Sequence, residues 1–320
     1  MRKILIVGGT GFVGSSLLGV LQSSKQDSVT ITASGLKPDS NRLMGNNHYK
    51  IARWNILEEC ELDPNFDLII HAATPASAQL NSEDPNQMYN VIVKGMENVI
   101  NFLSRHRSLP TVLFTSSGAV YGSNSNLTTN IGEDSTVEFD TQEQRSAYAD
   151  GKREAELMLI DASNRGICKG IIARLFAFSG SHLPRDRHFA IGNFVDDAVL
   201  RKKIVIRSDG SSIRSYLDER DLANWLLTIA ERGVPENIYH VGSERAISIR
   251  DLAYLVSERY ELLSGKKTDI TILGESSPVD GVSHYVPSTV RTRNELGLLE
   301  TISLESSIDS MLQTAMSEMI

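Results

Sequence analysis

Gly8-Gly9-Thr10-Gly11-Phe12-Val13-Gly14, inside MRKILIVGGTGFVGSSLLGVLQ (residues 1–22), is the stretch whose reading decides the fold. KILIV (3–7) before it is a near-continuous apolar run, as in a strand covered on both faces. GSSLLGVLQSS (14–24) after it has helical spacing. Gly8 suits a tight turn, Gly11 lets a pyrophosphate approach the backbone, and Gly14 lets the helix pack on the strand. The bland alternative is an unrelated glycine-rich turn. Strand before and helix after favour a dinucleotide loop.

Working outward, SVTITA (28–33), FDLIIHAA (66–73), TVLFTSS (111–117) and KGIIARLF (169–176) read as further strands. NQMYNVIVKGMENVINFLSRH (86–106) and AYADGKREAELMLIDASN (147–164) read as helices between them. This alternation predicts an α/β fold with a doubly wound parallel sheet, the Rossmann arrangement. Residues 1–177 are expected to form the dinucleotide-binding domain, with segments near 215–242 returning to it. Residues 178–320 are expected to form mainly a smaller α/β substrate lobe, containing a helix over 190–203, a strand IVIRS, helices over 221–233 and 248–263, and an extended NIYHVGS (237–243).

The composition excludes several classes. A net charge of −8 argues against broad nucleic-acid binding. No window supplies the roughly 18 apolar residues of a membrane span, and the short N-terminal run broken by glycines is a strand rather than a signal peptide. The expected location is the cytoplasm. The two cysteines, Cys60 and Cys168, form no ligand pattern and read as reduced structural thiols.

Three places carry chemistry. The second strand ends Thr32-Ala33-Ser34, with Lys37 and Arg42 beyond it and no carboxylate to hold a ribose 2′-OH. A hydroxyl with nearby cations favours NADP, with NAD left open; a solvated basic loop is the alternative. Tyr148 and Lys152 stand four apart and share a helix face. An ammonium there is expected to favour the phenolate and bring Tyr148 into a useful acid–base range. Such a pair is common by chance. Ser116-Ser117-Gly118 closes a buried strand at the sheet edge where ligands bind, placing the Ser117 hydroxyl beside Tyr148.

GGTGFVG, HAA (71–73), SSGAVYG (116–122), YADGK (148–152) and ARLF (173–176), in this order, resemble the extended short-chain dehydrogenase/reductase family in its nucleotide-sugar epimerase/dehydratase branch. The resemblance spans nearly the whole chain. It implies Tyr148 as proton donor and acceptor, Lys152 as its partner and holder of the nicotinamide ribose, and Ser117 as the third catalytic residue. It further implies cofactor contacts from Gly8, Thr10, Gly11, Phe12, Val13, Gly14, Ser34, Lys37, Asn55, Ile56, Ala72, Ala73 and Lys152. Substrate contacts are implied from Thr74, Ser117, Tyr148, Asn193 and Arg214, the last on a diphosphate. It implies no metal, a nucleotide-sugar substrate, and a homodimer through the helices at 86–106 and 147–164.

Departures narrow the reaction. Dehydratases and decarboxylases of this branch carry an acid two positions after the catalytic Ser/Thr; here Gly118 and Ala119 follow Ser117. Ala177 and Ile92 replace frequent asparagines, which suggests a less polar sugar pocket. The expected activity is NADPH-dependent reduction of a nucleoside-diphosphate 4-keto-6-deoxyhexose for surface-polysaccharide precursors. A 4-epimerase with tightly held NAD is the alternative, and a non-catalytic dinucleotide-binding protein the third. His71, His182, His188, His240 and His284 are scattered, and Asp196-Asp197 and Asp218-Glu219 read as solvated charges.

Overall fold

The computed structural model describes residues 1–22, 27–34, 49–74, 78–106, 108–122, 129–135, 146–185, 189–201, 203–274 and 282–319. Lys37, Arg42 and His188 lie outside them. The first strand, β1 (Arg2–Val7), delivers the chain through the glycine turn into α1 (Phe12–Leu21). There follow β2 (Asp27–Ala33), β3 (Tyr49–Arg53), β4 (Leu68–His71), α2 (Ala78–Glu83), α3 (Pro85–Leu103), β5 (Thr111–Ser117), α4 (Ala147–Asn164) and β6 (Lys169–Leu175).

These strands build one seven-stranded sheet in the order Ile238–Val241, β6, β5, β4, β1, β2, β3. Each pairing from β6 to β3 is parallel. The order reverses between β1 and β4, the place where ligands of open α/β sheets sit beyond the strand ends. Val7 and His71, register partners there, end the two strands.

Apolar runs form the central strands because both faces are covered. Leu5, Val7, Ile69, Val112, Phe114 and Ile172 share a core with Met88, Met96, Val99 and Phe102 of α3 and Ala155 and Leu159 of α4. Each large side chain so buried contributes roughly 1.5–3 kcal/mol. Asp84 caps α3 by accepting from the Gln87 N–H, and Ser146 caps α4 by accepting from Ala149. Gly151 brings α4 against α3: a Cβ there would meet Ile92 at 3.1 Å.

Two expectations need correction in this sheet. β3 was not foreseen, since its five residues include no fully buried position and form no apolar run; it forms because β2 offers it an edge from Val29 to Ala33. Ile92 is buried in the α3–α4 core, so its apolar character reflects helix packing and is no evidence about a sugar pocket.

The chain divides into two compact units. The first comprises Met1–Gly122, Thr136–Leu175 and Ala223–Tyr239; the second Ser123–Ser135, Phe176–Leu222 and His240–Ile320. In the second unit the helix Ala190–Asp196 passes into a π-helical turn, Asp197–Arg201, where the sequence predicted one continuous helix. The strand Lys203–Ile206 pairs in parallel with Asp269–Ile272. Ser248 caps the helix Ile249–Ser264 through the Asp251 N–H.

The acidic pairs are not simply solvated. Asp197 is buried and accepts from the Val205 N–H at 3.1 Å. Asp218 is buried against Arg220, and Glu219 accepts from the Ser181 and His182 N–H groups and pairs with the His182 ring. Backbone donors left over by loops recruited these carboxylates inward. Among the described residues no helix is long and apolar enough to cross a membrane.

Candidate active site

The three glycines of the opening loop do different work. Gly8 has φ +84°, and a Cβ on it would stand 2.7 Å from the Ala73 Cα. A Cβ on Gly14 would strike the Gly9 backbone at 2.5 Å. The fold itself explains both. Gly11 is exposed, and a Cβ there would meet only the Gly8 carbonyl oxygen at 3.4 Å. Its bareness serves space outside the loop. Gly11 is also the N-cap of α1, where no side chain caps the helix and no acid occupies the first turn. Thr10, Phe12 and Val13 surround this end, each partly exposed. Backbone N–H groups at a helix start with room in front suit a phosphate anion.

Thr32 at the end of β2 is committed to the loop: its hydroxyl accepts from the Gly8 N–H at 3.4 Å and its carbonyl from Gly9 at 3.0 Å. Ser34 beyond it is exposed. After β3, both ends of the Asn55 amide are used locally, with Glu58 and with the Leu57 N–H. Ile56 is buried, and its carbonyl accepts from Asn98 at 2.8 Å. Ala72 and Ala73 continue from β4 against Gly8.

Strand β5 and helix α4 bring the predicted trio together. Ser117 is the last residue of β5; its Oγ accepts from the Ala119 N–H at 3.1 Å, and it acts on the Tyr148 phenol. Lys152, one turn along α4, is 2 % exposed. Its Nζ donates to the Thr115 carbonyl at 2.7 Å and to Thr74 Oγ1 at 2.9 Å, and lies 4.6 Å from the Phe114 ring centre. Thr74, predicted as a substrate contact, is thus a partner of Lys152. Asn193, on the helix Ala190–Asp196, and Arg214 belong to the second unit. Arg214 donates to the Ile213 and Ser283 carbonyls and to Ser283 Oγ, and lies 5.8 Å from the Tyr285 ring centre.

The electrostatics reverse one expectation. Burial pushes the Tyr148 phenol above its usual value, and Ser117 works the other way. Burial also lowers Lys152 to about 7, although the Glu156 carboxylate opposes that. Lys152 stands 5.7 Å from the Tyr148 ring centre and spends its hydrogen bonds on Thr115 and Thr74. Desolvation therefore outweighs the helix-face pairing that predicted a lowered phenol. His71, buried with its Nδ1 unpartnered among the described residues, falls to about 3 through burial and then the Lys152 charge.

Some residues around the trio escaped the sequence reading. Asn81 of α2 accepts from the Tyr148 N–H at 2.9 Å, tying α2 to the start of α4. Glu156 takes Arg174 of β6 in a two-pronged ion pair, 3.0 and 2.6 Å, and accepts from Ser116. Arg174 also donates to the Tyr121 hydroxyl at 2.7 Å. The Tyr148–Lys152 spacing was read in the sequence; Glu156 one turn further on, and Arg174 as its partner, were not.

A sequence model described as the NAD dependent epimerase/dehydratase family matches residues 4–242. The chain is 24% identical to UDP-glucuronic acid decarboxylase 6 of Arabidopsis thaliana, over 97% of this chain and 87% of that protein. Its fold is similar to that of UDP-glucuronic acid 4-epimerase from Bacillus cereus, with a TM-score of 0.82 at 18% identity over 100% of both chains. It is similar also to RMD from Pseudomonas aeruginosa, solved with NADPH, at a TM-score of 0.80 and 20% identity over 99% and 100% of the two chains.

Proposed function

Since the chain belongs to the NAD dependent epimerase/dehydratase family, we propose that it reduces the 4-keto group of a nucleoside-diphosphate 4-keto-6-deoxyhexose, with NADPH as the reductant. The carrying observation is the end of β5. Ser117 stands near enough to Tyr148 to favour its ionised form, and Gly118 and Ala119 after it offer no group that could move a second proton. The decarboxylase-type relatives are therefore a guide to the scaffold and the nucleotide-sugar class, not to the reaction.

Gly8, Gly11 and Gly14 with the start of α1 would hold the dinucleotide pyrophosphate, and Ser34 would face the adenosine ribose. NADPH, when bound, supplies the hydride to the sugar C4. Tyr148 gives its proton to the C4 oxygen, and Ser117 donates a hydrogen bond to the same atom. A raised phenol pKa suits this direction, because a reduction begins from the protonated acid. Lys152 would bind the nicotinamide ribose. In the second unit Arg214, with no carboxylate among its hydrogen-bond partners in the described residues, would take the diphosphate. Ala177, in place of a polar residue, supports a deoxy sugar. Leu157, 62% exposed on α4 in a groove with Tyr89 of α3, supports a homodimer through these helices.

Incubation with a dTDP-4-keto-6-deoxyglucose panel and NADPH or NADH, followed at the nicotinamide absorbance, tests the reading. Stoichiometric oxidation is expected. Interconversion of two hydroxyl epimers with no net cofactor consumption would replace it with the 4-epimerase reading.

A further inference from the structure

Tyr148, Lys152 and Glu156 lie on one face of α4, four residues apart. Glu156 is 5% exposed, and its carboxylate is held by the framework beside Ser117. Arg174 of β6 grips both oxygens, and Ser116 of β5, next to Ser117, donates to Oε1. The Arg174 guanidinium in turn donates to Tyr121, in the 3-10 turn Gly118–Tyr121 that Ser117 caps. One buried ion pair thus fastens α4 to β5, to β6 and to the turn after β5.

Among the described residues, the groups around Lys152 include Thr74, whose Oγ1 accepts from it at 2.9 Å. Tyr148 and Glu156 come from α4, His71 from β4, and Phe114 and the Thr115 carbonyl from β5, while Arg174 and Tyr121 lie beyond Glu156. Asp150 and Arg153 pair with each other elsewhere on α4. Glu156 is the carboxylate among them. We propose that Glu156 is a positioning residue for the reaction assigned above: pinned by Arg174 and Ser116, it holds α4 in register with Ser117 and sets a carboxylate one helical turn from Lys152. The proposal rests on the dinucleotide reading of the site. Buried ion pairs seldom add net stability over an apolar replacement, so a role in charge and register accounts for this one better than stability does.

Titration of the full-length protein with NADPH, read by nicotinamide fluorescence from pH 6 to 9, tests it. In the wild type, affinity is expected to fall as pH rises through the Lys152 titration. Glu156→Gln is expected to move that fall to lower pH, with Kd about 10-fold weaker at pH 7.5 and within about 2-fold at pH 6, as for a one-unit shift. Since Glu156→Gln leaves Arg174 buried without its partner, Glu156→Gln/Arg174→Gln supplies a neutral hydrogen-bonded pair and is expected to show the same displacement. Glu156→Asp, which keeps the charge, is expected to retain the wild-type midpoint. Unmoved midpoints in both Gln variants, even with uniformly weaker binding, overturn the proposal. Absence of NADPH binding by the wild type at every pH would instead remove the functional reading beneath it.

Discussion

A Cβ at Gly8 would stand 2.7 Å from the Ala73 backbone at φ +84°, whereas one at Gly11 would meet nothing closer than 3.4 Å. Gly8→Ala is therefore expected to destabilise by at least about 2 kcal/mol, from the left-handed backbone and the clash together. Gly11→Ala costs less than about 1 kcal/mol of stability, as an N-cap change, but weakens NADPH binding at least about tenfold. Thermal melts alongside NADPH titrations separate the two; equal loss of stability in both variants would show that the loop is built for the fold alone. Lys152 and His71 set opposite ends of the pH profile. Lys152 has a lowered folded value, about 7, so its buried charge costs stability below that pH. The cost fades as pH rises from about 7 toward the unfolded value near 10.4. Lys152→Met should therefore melt higher than the wild type at pH 6 and lose that advantage by pH 10. His71, at about 3 in the fold, gives stability that is complete above its unfolded value near 6.5 and is lost as pH falls from there toward 3. His71→Phe should flatten the acid limb of a stability–pH curve, and an unchanged limb would assign acid unfolding elsewhere. Gly8 and Gly11 were legible in the loop pattern, whereas the burial of His71 was not. Lys152 was legible through its spacing from Tyr148, yet the direction of its effect was not, because desolvation depends on how deeply α4 is covered.

At the scale of elements, α4 is where the sequence spoke most clearly and also left most out. The helix expected over 147–164 is the helix observed, Ala147–Asn164. Asn81 was not legible, because its acceptor reaches the Tyr148 N–H across 67 positions of chain. Nor was Arg174, since a glutamate on an amphipathic helix reads as a solvent-facing charge until the strand beneath it supplies an arginine. Asn81→Ala removes the acceptor at the first turn of α4; a loss of about 1 kcal/mol in stability is expected, with a fall in turnover larger than the fall in substrate affinity, since Tyr148 is the residue displaced. Steady-state kinetics check the split, and an effect confined to KM would count against it. The end of β2 yields a second test. Thr32 is committed to the glycine turn, so Ser34 is the side chain left facing outward. Ser34→Asp should repel a 2′-phosphate and accept a ribose 2′-OH, turning NADPH preference toward NADH by about tenfold or more in kcat/KM. β3 escaped the reading for a different reason. An edge strand with half-exposed residues draws its order from pairing with β2, which periodicity along its own five residues does not display.

For the whole molecule, the doubly wound order follows from alternating apolar runs and helices, and was legible before any coordinate. The division of the chain was harder, because it is not one cut. The boundaries fall inside the helix Glu219–Arg232 and the strand Ile238–Val241 as well as after Leu175. A helix and a strand that each contribute residues to both units give neither unit a self-contained set of elements, so the chain is expected to unfold in a single cooperative transition. The residues assigned to the dinucleotide all lie in the first unit, while Asn193 and Arg214, assigned to the nucleotide sugar, lie in the second. Mass action then gives a sharp outcome. NADPH at about 100 times its Kd should stabilise the protein by about 2.7 kcal/mol, and in a single cooperative transition the whole endotherm moves up by several degrees. A nucleoside diphosphate, bound through Arg214, should move the same endotherm, and the two shifts should add when both are present. Differential scanning calorimetry with each ligand alone and with both decides it. An endotherm that NADPH splits, moving one part and leaving the other at the unliganded temperature, would show that the units melt independently and that the shared helix and strand do not couple them.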